Sequence, residues 1–141
     1  MRILLTVKQD HLPINRALIR RILRRVATRE GWYGDLSVAI LDDAALAAAN
    51  AEFRGRSGPT DVLAFPYGDD PDGIAGEILV SAETAERVAA SLDETPEREL
   101  LCYCVHGLLH LCGYNDRTPG ERRRMEKIQE AVLSDEEGKE T

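Results

Sequence analysis

The chain has 141 residues and 15.6 kDa, 43% hydrophobic and 30% charged. That suits one domain of about 100 to 150 residues and excludes both global disorder and a disulfide-stapled miniature. The net charge of −7 conceals a polarity: residues 1–60 carry ten basic and six acidic side chains, residues 61–141 eight and nineteen. A local basic stripe can therefore still face an anionic partner.

The run Ile3 to Val7 is β-rich and too short for a signal peptide, and no apolar run reaches the roughly 20 residues of a membrane span. No membrane association and a cytoplasmic location are the expectations. Pro13 stands where a first helix would begin, and Leu18, Ile19, Ile22, Leu23 and Val26 follow at helical spacing. Its other side carries Arg16, Arg20 and Arg24 in a stripe with Arg21, Arg25 and Arg29, which reads either as a solvated face or as an RNA-facing track.

After a turn at Gly31 to Gly34, Leu36, Val38 and Ile40 alternate as in a half-buried strand. Asp42 and Asp43 then cap an alanine-rich helix ending near Asn50 to Phe53. Asp61 to Phe65 and Ile74 to Ser81 predict a hairpin-like pair of strands. The loop between them carries Asp69, Asp70 and Asp72 but no glutamate that would close a calcium loop, and it reads as a solubilising turn.

Three helices complete the chain: one after Ser81, one over Glu97 to Cys112 and one over Pro119 to Leu133. The charged segment from Ser134 is expected to fray, giving a domain over 1–134 and a tail over 135–141. The expected class is α+β, a small mixed four-stranded sheet packed with about five helices, with a metal site on a central buried helix.

That helix, Leu100 to Gly113, is apolar around its circumference and holds two of the chain's three histidines. At i and i+4, His106 and His110 share one face a turn apart, where two imidazole nitrogens can meet on one metal ion. Gly113 permits a left-handed stop, after which the chain can bend back to present Asp116. The pattern His-x3-His-x5-Asp offers three protein ligands and an open position for water, as a catalytic zinc requires.

Cys102, Cys104 and Cys112 read as reduced core thiols, and Cys112 points about 160° away from His110 around the helix. A zinc peptidase would carry a glutamate base immediately after the first histidine; here Gly107 stands there.

The segment His106-Gly107-Leu108-Leu109-His110-Leu111-Cys112-Gly113-Tyr114-Asn115-Asp116 resembles the H-G-x-L-H-L-x-G-Y-D-H signature of the YbeY family of metal-dependent endoribonucleases. Asn50 to Gly55, Pro59 to Pro66, Gly76 to Ser81, Glu99-Leu100 and Met125 are similar to that family's other segments, in the same order. The departures are Asp116 in place of the family's last histidine ligand, and Asn115 where aspartate is usual. Exchanging a neutral ligand for an anion lowers the site's net charge by one unit, which weakens polarisation of bound water and shifts preference toward harder metals.

The resemblance implies a nuclease specific for single-stranded RNA, acting in ribosomal RNA maturation and ribosome quality control. It implies one zinc ion, another divalent metal being possible because of Asp116. The implied partners are ribosomal RNA and the small ribosomal subunit or its proteins. It also carries Arg54 over as a catalytic basic residue, whose guanidinium can grip a phosphate bidentately or simply form a surface ion pair. Asp61 and Glu77 can orient a metal ligand or cap a loop, the second role being favoured. The alternative is a ribosome-associated RNA-binding or assembly factor with a weakened or structural metal site. A different metal-dependent hydrolase on the same fold is a third reading.

Overall fold

The computed structural model describes residues 1–54, 61–68 and 73–139, apart from the side chains of Phe53, Arg54 and residues 137–139. Arg56, Pro59, Thr60, Asp69, Asp70 and Asp72 lie outside the described residues, and with them the expected turn between the paired strands.

The elements run β1 (Ile3–Val7), α1 (Arg16–Glu30), β2 (Asp35–Leu41), α2 (Asp43–Arg54), β3 (Val62–Pro66), β4 (Ile74–Ser81), α3 (Ala82–Leu92), α4 (Pro96–Leu111) and α5 (Pro119–Lys139). The sheet order is β1-β2-β4-β3. β1 and β2 pair in parallel, as do β2 and β4, whereas β3 runs antiparallel to β4. The mixed sheet and five helices are those the sequence predicts.

Side-chain alternation divides the strands between two faces. Leu36, Val38, Ile40, Ile78 and Val80 enter the main core with α1, α4 and α5. Leu41, Leu63 and Leu79 turn the other way and pack on Leu46 of α2. Helix α4 touches α1, α3, α5, β3 and β4, which is why its sequence is apolar all round.

A missing side chain sets how closely α4 approaches the sheet. A Cβ built on Gly107 would stand 2.7 Å from a methyl of Ile78 and 3.2 Å from one of Val62. A glutamate at this position would be driven into the sheet, so the same close packing that seats α4 excludes a peptidase-type base there.

Two helix limits differ from the sequence reading. α1 begins at Arg16 rather than at Pro13, because the Asn15 side chain accepts the Leu18 N–H at 3.1 Å and so caps the helix later. α5 runs to Lys139 instead of fraying from Ser134. Glu136, only 5% exposed, is bound by the Arg21 guanidinium and lies 3.2 Å from Arg25 Nη2, so α1 clamps the last turns of α5.

Removing one partner of a buried ion pair leaves the other charge uncompensated. Glu136→Ala, and equally truncation after Ser134, is expected to cost about 2 kcal/mol; the solvent still reaching the half-exposed Arg21 side chain keeps this below the fully buried case. Urea unfolding measures it, and a midpoint unchanged in both variants would contradict the clamp.

Candidate metal centre

His106 and His110 occupy the last turns of α4, on the flank facing α5 rather than the sheet. Their ring centroids are 4.5 Å apart and nearly perpendicular. Gly113, at φ 102°, breaks the helix, while the Gly113 and Tyr114 N–H groups donate to the His110 and Leu109 carbonyls, each at 3.0 Å. The chain then doubles back and reaches α5 through a reciprocal capping box. Thr118 N–H donates to the Glu121 carboxylate and Glu121 N–H to the Thr118 hydroxyl, both at 3.1 Å.

This return brings Asp116 Oδ2 to 3.3 Å from His106 Nε2 and 3.4 Å from His110 Nε2, the two nitrogens being 2.9 Å apart. A tetrahedral zinc shell with ligands at about 2.0 to 2.1 Å sets neighbouring donor atoms about 3.3 Å apart. The three residues therefore form a group able to bind a metal ion. Each is half-buried, which leaves one side of the triangle open to solvent.

The outer nitrogens fix the inner ones. Tyr114 C=O can only accept, so the 3.0 Å contact from His110 Nδ1 places the ring proton there and turns the Nε2 lone pair inward. His106 Nδ1 lies 3.1 Å from the Nε2 of the Gln129 side-chain amide, whose oxygen and nitrogen ends exchange by a flip. When His106 offers Nε2 to a metal its proton sits on Nδ1, and the amide oxygen is the acceptor. Burial holds the His106 pKa below the usual histidine range, with His110 adding to the effect and Asp116 and Asp61 opposing it. A neutral, ligating imidazole is thereby favoured.

Beside the triad opens a cavity of about 200 Å³ lined by residues that include Asp61, Glu99, Tyr103, His106, Asp116 and Gln129. Burial raises the Glu99 pKa, against a hydrogen bond from Tyr103 that lowers it. Asp61 lines the same cavity, and its charge opposes the lowering of the His106 pKa. Glu77 is occupied elsewhere, accepting the Tyr67 hydroxyl at 2.7 Å; burial and that carboxylate push the Tyr67 pKa up to about 12.

The cysteines are free thiols. Burial pushes Cys102 and Cys112 up to about 11 and Cys104 to about 12, and among the described residues none of the three joins the His106–His110–Asp116 group. Arg54 closes α2, and its guanidinium is outside the described side chains. Gln129 and the Tyr114 carbonyl escaped the sequence reading. The only signal for Gln129 is its position one turn after Met125, on the buried side of α5.

The family model described as Endoribonuclease YbeY matches residues 5–137. The chain belongs to the YbeY family. It is 36% identical to Endoribonuclease YbeY of Moorella thermoacetica, over 90% of this chain and 92% of that one. Against Endoribonuclease YbeY of Carboxydothermus hydrogenoformans the identity is 34%, over 92% of this chain and 94% of that one. The solution structure of TM1509 from Thermotoga maritima superposes with a TM-score of 0.68 at 26% identity, covering 97% of this chain and 93% of the other. Within the YbeY fold, the histidine pair of α4 and the returning Asp116 form a group that could hold a metal ion, with a carboxylate at the third position.

Substituting outer-shell partners of a ligating histidine weakens metal affinity by about 10- to 100-fold. Gln129→Ala is expected to weaken divalent-metal affinity by about tenfold with the fold intact. Competition against a chromophoric chelator measures it, and an unchanged affinity would show that Gln129 does not orient His106.

Proposed function

We propose that this chain is a metal-dependent endoribonuclease specific for single-stranded RNA, acting in ribosomal RNA maturation and ribosome quality control. It works in the cytoplasm on ribosomal RNA, in company with the small ribosomal subunit or its proteins. The observation that carries the reading is the convergence of His106, His110 and Asp116 on one point, within a chain that a YbeY family model matches over residues 5–137.

His106, His110 and Asp116 would hold one zinc ion, or another divalent ion given the carboxylate. When bound, the ion supplies Lewis acidity to a phosphoryl oxygen and lowers the pKa of water. The remaining work falls to the chain. The carbonyl of Tyr114 holds His110 in the ligating tautomer, and the Gln129 amide would do the same for His106 with its oxygen turned to Nδ1. Arg54 is assigned to the phosphate, where a guanidinium can bind two oxygens and offset charge developing on phosphorus. The Asp116 carboxylate anchors the open side of the triad, and α4 shields its far side from water.

His110→Ala is expected to reduce cleavage of a single-stranded ribosomal RNA fragment to background while circular dichroism stays that of the wild type. Arg54→Ala should lower the rate by about a hundredfold with metal content unchanged. Equal cleavage by His110→Ala would overturn the reading. RNA binding indifferent to chelator, without cleavage in the wild type, would favour an assembly factor with a structural site.

A further inference from the structure

The α1 stripe that the sequence offers as an RNA track is largely committed to the fold. Arg16 donates to Leu5 C=O at 3.0 Å and Arg20 to Ile3 C=O at 3.3 Å. Arg21 and Arg25 hold Glu136, and Arg29 lies 3.8 Å from Glu30. Of the six, Arg24 alone makes no such contact among the described residues.

A second basic cluster surrounds the metal centre itself. Residues 117–124 contain four arginines and one acid, Glu121, whose carboxylate is turned back onto Thr118 N–H. Arg122 Nη1 donates to Asp116 C=O at 3.2 Å, and its side chain lines the cavity that His106 also lines. Arg124 sits on the other side of α5, its guanidinium carbon 5.5 Å from the centre of the Tyr114 ring. There it borders an open hollow of about 330 Å³.

Arg117 and Arg123 are exposed and form no ion pair among the described residues, and Arg123 lies over the first turn of α5 near Gly120. The positive end of the α5 dipole adds to this field.

We propose that the phosphate backbone of single-stranded RNA reaches the metal centre across this rim of Arg117, Arg122, Arg123 and Arg124, and not along α1. The inference rests on the RNA reading given above. The charge distribution sets the path. Asp61, Glu99 and Glu126 line the cavity beside the triad and repel phosphate from its interior. Arg122 lines it and Arg124 borders the hollow on the far side of the Asp116 turn, while Arg117 lies in that turn and Arg123 on the exposed side of the α5 first turn. A strand lying over that turn meets a guanidinium on each side, and its phosphates pass the open face of the triad.

The test measures binding to the metal-loaded full chain, with a fluorescein-labelled 2′-O-methyl oligouridylate whose integrity is checked on gels. Anisotropy titrations over a range of salt concentrations compare wild type, Arg117→Gln/Arg123→Gln and Arg16→Gln/Arg24→Gln. The two double variants change net charge equally, and neither Arg117 nor Arg123 holds the fold together.

Each phosphate contact to a single strand contributes about 0.7 to the slope of log affinity against log salt. The Arg117/Arg123 variant is expected to lower that slope by about 1.4, and the Arg16/Arg24 variant to leave it unchanged. Equal effects in both variants, or none at Arg117/Arg123, overturn the inference. If the wild type still cleaves RNA in a metal-dependent way, the nuclease reading survives that result. A wild type that neither binds nor cleaves RNA overturns both.

Discussion

The closeness of α4 to the sheet is the constraint on which the candidate metal centre depends. Gly107 lies over Ile78, and at the next turn Leu111 lies against Gly76, where a Cβ would stand 2.7 Å from a Leu111 methyl. Two glycines on facing surfaces thus seat α4 at both crossing points. His106 and His110 then lie roughly 60 to 100° around the helix from Gly107, on the flank where α5 and the returning turn meet. The helix is fixed by packing, so the imidazoles are presented on a rigid element and not on a loop.

The two Nε2 atoms and the Asp116 carboxylate lie within 3.4 Å of each other, held together by a shared proton between the imidazoles or by a cation among all three. The chain maintains this arrangement by satisfying the outer nitrogens of both rings and by burying His106 enough to disfavour its own protonation. Asp116 brings the negative charge to the open side, where hydration limits its cost. Arg122, bonded to the backbone carbonyl of the same aspartate, returns positive charge to the edge of the site. A carboxylate at the third position and a neighbouring arginine are thus compatible in one small site.

Much of this was legible in the sequence because it is local. The i, i+4 histidines, the Gly113 stop and the strand alternation depend on nearest neighbours along the chain, and each appears where the spacing predicts. What was not legible depends on distant partners. Glu136 sits in a run of acids that reads as a solvated tail, and Arg21 and Arg25, more than a hundred residues earlier, turn it inward. The α1 arginines read as free because their partners, the β1 carbonyls and Glu136, are unknown until the fold is assembled. Gln129 looks like any polar residue on α5 until His106 is placed against it. Asp116 was visible as a candidate ligand, but its distance to the histidines depends on the turn through Tyr114 and Asn115.

The central claim is that Asp116 completes the metal site with His106 and His110. It is tested most directly by metal content: mass spectrometry of wild type, His110→Ala and Asp116→Ala after stringent chelation, zinc readdition and removal of excess metal. The account predicts about one zinc per chain in the wild type and a clear reduction in both variants. Zinc retained at the wild-type level in folded Asp116→Ala, or no zinc in the wild type, would contradict it.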